Sequence, residues 1–118
     1  MNSKVRNILE HMLEDATDAI NFANEAGSIK VFSSSKMTYK AVVMSILNIG
    51  ELTKHLPHEY KSAHNDIPWK NISGMRDIAA HGYHTMNNKI IWDVVKNYLP
   101  NLVIFLQGQL KEKGDKKC

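Results

Sequence analysis

Apolar residues recur along this chain at helical spacing. Val5, Ile8, Leu9, Met12, Leu13, Ala16, Ala19, Ile20 and Ala23 follow the i, i+3, i+4, i+7 pattern of an amphipathic helix. Asn2 or Ser3 can cap its start and Gly27 can close its end. Ser33, Ser34 and Ser35 read as a turn and N-cap cluster, after which MTYKAVVMSILNIGEL is apolar almost all the way round, the mark of a central buried helix. Pro57 is expected to end it, and HEYKSAHNDIP reads as a connection with at most one helical turn. Pro68 and Trp69 restart the chain. WKNISGMRDIAA predicts a third, shorter helix ending near His81 and Gly82, with glycine as the left-handed closure. Asn87 or Asn88 caps a last helix with the stripe Ile90, Ile91, Val94, Val95, Tyr98, Leu99, Leu102, Val103, Phe105, Leu106. Pro100 lies inside that stripe, which predicts a kink rather than a stop. With no strand alternation and no internal repeat, the pattern predicts an all-α, antiparallel bundle of about four helices with a kinked last helix.

Composition narrows the class. A chain of 118 residues fits one domain, expected over residues 1–110, followed by a lysine-rich tail at 111–118. Hydrophobic content of 43% and charged content of 23% are those of a soluble globular protein. No run approaches the roughly 18 apolar residues that would span a bilayer. Charged residues interrupt MNSKVRNILEHMLED, so no secretory signal is expected, and the single cysteine, Cys118, fits a reducing compartment. A cytoplasmic location is the expectation. The net charge of +3 owes much to Lys111, Lys113, Lys116 and Lys117, and is weak evidence for nucleic acid.

The chemistry concentrates in RDIAAHGYH, Arg76 to His84. Arg76 and His81 are five positions apart, about 140° around a regular helix, and converge only if the helix frays or ends at His81. Asp77 precedes His81 by four positions, the separation at which helical side chains meet, so its carboxylate can hold the imidazole in one tautomer. Ala79 and Ala80 leave an open lane beside the guanidinium. A histidine for proton transfer and an arginine for phosphate oxygens suit RNA cleavage by its own 2′-hydroxyl. One histidine cannot act as base and acid in a single forward step, whereas a two-fold dimer supplies two of each group. The opposing reading makes Arg76 and Asp77 solvated residues, His81 a cation at a helix C-terminus, and Tyr83 a core aromatic. Spacing alone leaves both open.

IGEL (Ile49 to Leu52), IPW (Ile67 to Trp69), GMRDIAAHGY (Gly74 to Tyr83) and IIWDVVKNYLPNL (Ile90 to Leu102), in that order over roughly residues 38 to 106, resemble the HepT-like toxins of the HEPN superfamily. That resemblance implies a metal-independent endoribonuclease toxin, a helical homodimer with its RNA cleft at the interface, paired with a minimal nucleotidyltransferase antitoxin and needing no cofactor. It implies that Arg76 and His81 are catalytic, that Asp77 is the arginine's polar neighbour, and that the antitoxin adenylylates the Tyr83 hydroxyl to silence the enzyme. His84 departs from the family pattern, which more often has an aromatic or apolar residue there.

Other residues carry two readings each. Glu51 is either a partner for a basic residue near the cleft or exposed at a helix turn, since an unpaired buried carboxylate is costly. Lys70 and Lys89 are either phosphate contacts or solubilising lysines. Trp69, Trp92 and Tyr98 can stack on bases or fill the core. The pairs His81/His84 and His55/His58 have metal-site spacing, yet no cysteine or acidic group completes either, so no metal site is expected. Two functions fit: a ribonuclease toxin, or a non-catalytic helical subunit that binds a nucleotidyltransferase and helps present a nucleotide or substrate. A catalytic role requires the polar cluster to be open to solvent.

Overall fold

The computed structural model describes residues 2–115, and side chains as far as Lys111. Helix α1 (Ser3–Ala26) starts where Asn2 Oδ1 accepts from the Val5 N–H at 2.8 Å, and ends where Gly27 turns left-handed at φ 80°. Its stripe buries Leu9, Met12, Ala16, Ala19 and Ala23 completely. The serine cluster is not a simple turn. Ser33 and Ser34 close a short helix α2 (Ile29–Ser34), and only Ser35 caps the helix after it. Phe32 explains the extra helix: it is fully buried, with ring centroids 5.5 Å from Tyr39 and 5.3 Å from Trp92. Burying such a side chain is worth about 1.5–3 kcal/mol and docks the short helix on the bundle.

Helix α3 (Lys36–Lys54) is central, packed between α1 and α5. It is less apolar in effect than its sequence suggests, because Lys36, Met37, Lys40, Met44, Asn48, Glu51 and Lys54 form an exposed stripe. The helix stops at Lys54, before Pro57, which instead opens α4 (His58–Ala63), a helix longer than the single turn expected. Beside α4, Trp69 is buried and its Nε1 donates to the carbonyls of Lys61 and His64, so this tryptophan holds a connection rather than a base.

Helix α5 (Trp69–Thr85) runs past the expected end at Gly82. Gly82 is buried inside it, and a Cβ there would meet Ile91 Cδ1 at 3.1 Å, so the glycine serves close packing. The left-handed closure falls on Met86 at φ 59°, with Asn87 N–H donating to Gly82 O and Met86 N–H to Tyr83 O. The last helix is continuous through α6 (Asn88–Asp93), a π turn (Val94–Tyr98) and α7 (Leu99–Asp115), and Asn87 caps it through Ile90 N–H. The expected interruption appears as that π turn, where Leu99 N–H reaches back to Val94 O. The buried residues Ile91, Val95 and Leu99 are spaced four and four, which would drift about 80° around a regular helix. One wider turn takes up the drift before Pro100, which has no N–H to give.

Cross-contacts give the directions. Met12 meets Thr53 while Asp15 bonds Asn48, so α1 and α3 are antiparallel. Gly50 meets Arg76 while Tyr39 bonds Gly82, so α3 and α5 are antiparallel. Gly82 lies against Ile91 while Trp69 packs on Phe105, which sets the last helix antiparallel to α5. The four long helices therefore form an up-down-up-down bundle, with no strand among the described residues. Helix α7 carries past the expected domain end at residue 110; Lys116, Lys117 and Cys118 of the tail lie outside the described residues. No described helix is long and apolar enough to cross a membrane.

Candidate active site

Arg76 stands where α5 crosses closest to α3. A Cβ on Gly50 would lie 2.8 Å from Arg76 Cβ and 2.9 Å from its backbone nitrogen, so only glycine lets the two backbones approach this far. The next residue, Glu51, receives Arg76 Nε on its carboxylate, and Lys54 Nζ lies 3.5 Å from the same oxygen. Arg76 NH1 is 3.6 Å from Asp77 Oδ1. Arg76 and Glu51 are each close to half exposed, and ion pairs so open to water contribute about 0–1 kcal/mol. The pairing matters for aim. With Nε engaged by Glu51 and NH1 beside Asp77, the guanidinium is held in place while staying close to half exposed, and a guanidinium fork matches phosphate oxygens. Both readings of Glu51 hold at once: it is exposed, and it partners a basic residue.

Because α5 continues unbroken to Thr85, Arg76 and His81 remain about 140° apart around the helix and about 7.5 Å apart along it. The condition for the two groups to converge within one chain, a helix that frays or ends at His81, is not met. Nor does Asp77 bond the His81 imidazole among the described residues; its carboxylate turns to Arg76. His81 is exposed and lines an open hollow between α2, the end of α5 and the start of α6, with Lys89 on the same rim. Lys70 belongs to a different groove, shared with Ile78, Asp93 and Tyr98.

Tyr83, seven residues after Arg76, returns to within about 20° of it on the helix. It is half-buried, stacked on Tyr39 with centroids 5.9 Å apart and an interplanar angle of 16°. It edges a pocket of about 250 Å³ with Lys40, Val43, Met44 and Leu47. Tyr39 is the buried member of the pair; its hydroxyl donates to Gly82 O at 3.2 Å, and burial, then the neighbouring Tyr83, pushes its pKa up. The His84 ring meets the edge of Tyr83 at 6.0 Å, so this unusual residue helps wall the tyrosine.

Of the remaining candidates Tyr98 is 56% exposed and His55 is exposed, whereas two others have partners within the chain. Trp92 packs on Phe32 with Lys96 Nζ 5.0 Å over its ring, and His58 shares a hydrogen bond with Ser62. Among the described residues no group of three histidine, cysteine or acidic side chains is arranged to hold a metal. Three contributors escape the sequence pattern: Gly50 as a close-approach residue, Lys54 beside Glu51, and Lys30 on the His81 hollow. Glycine next to glutamate in an otherwise apolar helix was the available signal for the first; nothing local announced the other two.

An arginine held by a glutamate and an exposed histidine, carried on different sides of one helix, are groups whose chemistry suits phosphate esters. Comparison narrows the class. Residues 9–108 match the family described as "Ribonuclease HepT-like". A Methanocaldococcus jannaschii protein provisionally named an RNase is 36% identical over 108 residues, 92% of this chain and 88% of the relative. A Caldanaerobacter subterraneus protein, also provisionally named an RNase, is 36% identical over 91% of each chain. The Thermococcus cleftensis protein named "Probable ribonuclease HepT" is 33% identical over 76% of this chain and 84% of its own. No solved structure matches. The chain belongs to the HepT-like ribonuclease family.

Proposed function

We propose that the protein is a metal-independent endoribonuclease toxin, active as a cytoplasmic homodimer and silenced by a nucleotidyltransferase antitoxin that modifies Tyr83. The observation that carries the reading is the disposition of Arg76 and His81: both open to solvent, the arginine aimed by Glu51, yet on different sides of one continuous helix. Solvent access favours catalysis over the adaptor role. Their separation favours a site completed by a second copy. Gly74, where an added Cβ meets nothing, and Ile78, 43% exposed, lie beside His81 on the open face of α5 and offer a smooth strip for self-packing about a two-fold axis.

In such a site one His81 takes the proton of a ribose 2′-hydroxyl. The 2′-oxygen attacks phosphorus, the bond to the 5′-oxygen breaks, and the other His81 protonates the departing oxygen. Two Arg76 guanidinium groups hold the phosphate oxygens as charge builds. The products are a 2′,3′-cyclic phosphate and a 5′-hydroxyl. Incubation of the purified protein with labelled RNA and EDTA tests this: cleavage with a cyclic phosphate end is expected, and cutting at a nucleotide lacking its 2′-hydroxyl, or loss of activity in chelator, rules it out.

A further inference from the structure

We infer that the hollow beside His81 is a binding site for the sugar-phosphate backbone of single-stranded RNA, holding nucleotides that flank the cleaved bond, with Lys30 and Lys89 as its phosphate-binding residues. The inference rests on the ribonuclease reading and adds where the substrate runs. The hollow is shallow and widely open to solvent, about 640 Å³, a shape for an extended strand and not for an enclosed small molecule. Helix α2 contributes Lys30 and Ser33, the end of α5 contributes His81 and Thr85, and the start of the last helix contributes Asn88 and Lys89. No carboxylate lines it. Among the described residues neither lysine enters an ion pair, whereas Lys54 is neutralised by Glu51. Two uncompensated cations facing one concave space focus a positive potential there and call for an anionic ligand.

The position beside His81 specifies which anion: on the ribonuclease reading, the polyanion brought to this hollow is the RNA strand whose 2′-hydroxyl or 5′-oxygen that histidine serves. Met86, 74% exposed on the rim, gives a base an apolar surface to lie on without reading its identity. The strand so placed passes directly over His81, the group that must reach its 2′-hydroxyl or 5′-oxygen. Lys30 and Lys89 therefore act in binding, and the proton-transfer step does not depend on them. The existence of α2 is what brings Lys30 to the hollow.

The test measures affinity against salt concentration. His81→Ala protein is kept as the binding form so that labelled RNA of mixed sequence stays intact, and Lys30→Ala and Lys89→Ala are added singly and together. Each phosphate contact on single-stranded RNA contributes about −0.7 to the slope of log K against log salt, so each change is expected to flatten the slope by about that amount. Lys4→Ala, on the exposed side of α1, is the control and leaves it unchanged. In His81-containing enzyme the two lysine changes raise KM several-fold and leave kcat as it was. Unaltered slope and KM in an enzyme that still cuts RNA overturns the hollow and leaves the ribonuclease reading standing. Flattened slopes in a protein that never cuts RNA support the hollow and overturn the ribonuclease reading. Lysine variants that bind RNA normally but fail to bind an acidic partner protein turn the hollow into a docking surface and overturn the inference.

Discussion

Gly50 is the floor on which Arg76 stands: the space a side chain would occupy at position 50 is filled by the arginine's own Cβ, 2.8 Å away, and by its backbone nitrogen. Gly50→Ala must push α3 and α5 apart at Arg76. Overpacking of this kind typically costs about 1–3 kcal/mol. Chemical denaturation should show that loss, and cleavage measured on the fraction still folded should fall further, because the displaced backbone carries Arg76 with it. An unchanged midpoint would mean the two helices do not meet this closely.

In the proposed site Glu51 touches Arg76 and not the substrate, the place of a positioning residue. Glu51→Gln keeps an acceptor for Nε and should retain most activity, whereas Glu51→Ala should lower kcat roughly tenfold, about one charge-assisted hydrogen bond, with a smaller effect on KM. Equal kcat values for the two variants, or a loss confined to KM, would assign Glu51 a different role.

Asp15 predicts a pH effect far from the site. Burial raises its pKa above the ordinary 3.8, with Glu14 and Asp18 adding to the rise and the Asn48 hydrogen bond opposing it. A carboxyl whose folded pKa is raised releases its proton more readily when unfolded, so the fold loses stability as pH climbs from 3.8 through the raised value. Asp15→Asn should therefore melt higher than the parent near pH 7, with the difference shrinking to nothing below pH 3.8. Melting curves at pH 3 and 7 decide it.

Tyr83 lies about two turns beyond Arg76 on the same side of α5, and in the proposed mechanism a nucleotide on its hydroxyl competes with the substrate phosphate for that guanidinium. Tyr83→Phe should keep the fold and at least part of the ribonuclease activity, yet escape silencing by the partner enzyme and ATP. His81→Ala should be inactive and still modifiable. Mass spectrometry that finds the nucleotide elsewhere, or none while activity is lost, removes Tyr83 from the mechanism.

Helix identities were legible in the chain because burial follows the apolar stripes: Leu9, Met12 and Ala16 in α1, and Leu99, Leu102 and Leu106 in α7, all face the core. Caps at Asn2, Gly27 and Asn87 were legible for the same local reason. Gly82 misled, since a glycine needed for close packing at Ile91 looks in sequence like a glycine needed for a left-handed turn, and the turn was taken by Met86. Helix α2 was hidden because its six residues gain their order from Phe32 meeting Tyr39 and Trp92, contacts no short window contains. At the site, spacing placed Arg76 and His81 on one helix but left Tyr83 beyond its expected end, and the bearings of all three hinge on that helix running on to Thr85. The Arg76–Glu51 contact joins residues 25 apart in sequence, and only the crossing of α3 and α5 reveals it.

The π turn at Val94–Tyr98 also bears on descent. A helix that spends one residue more than a regular one between the same core contacts carries the footprint of a single inserted residue, absorbed in place without a loop. A relative whose last helix is regular throughout should align with this chain only through a one-position gap between residues 94 and 98. One that aligns without a gap should share the widened turn, and with it the phase that keeps Leu99, Leu102 and Leu106 facing the core.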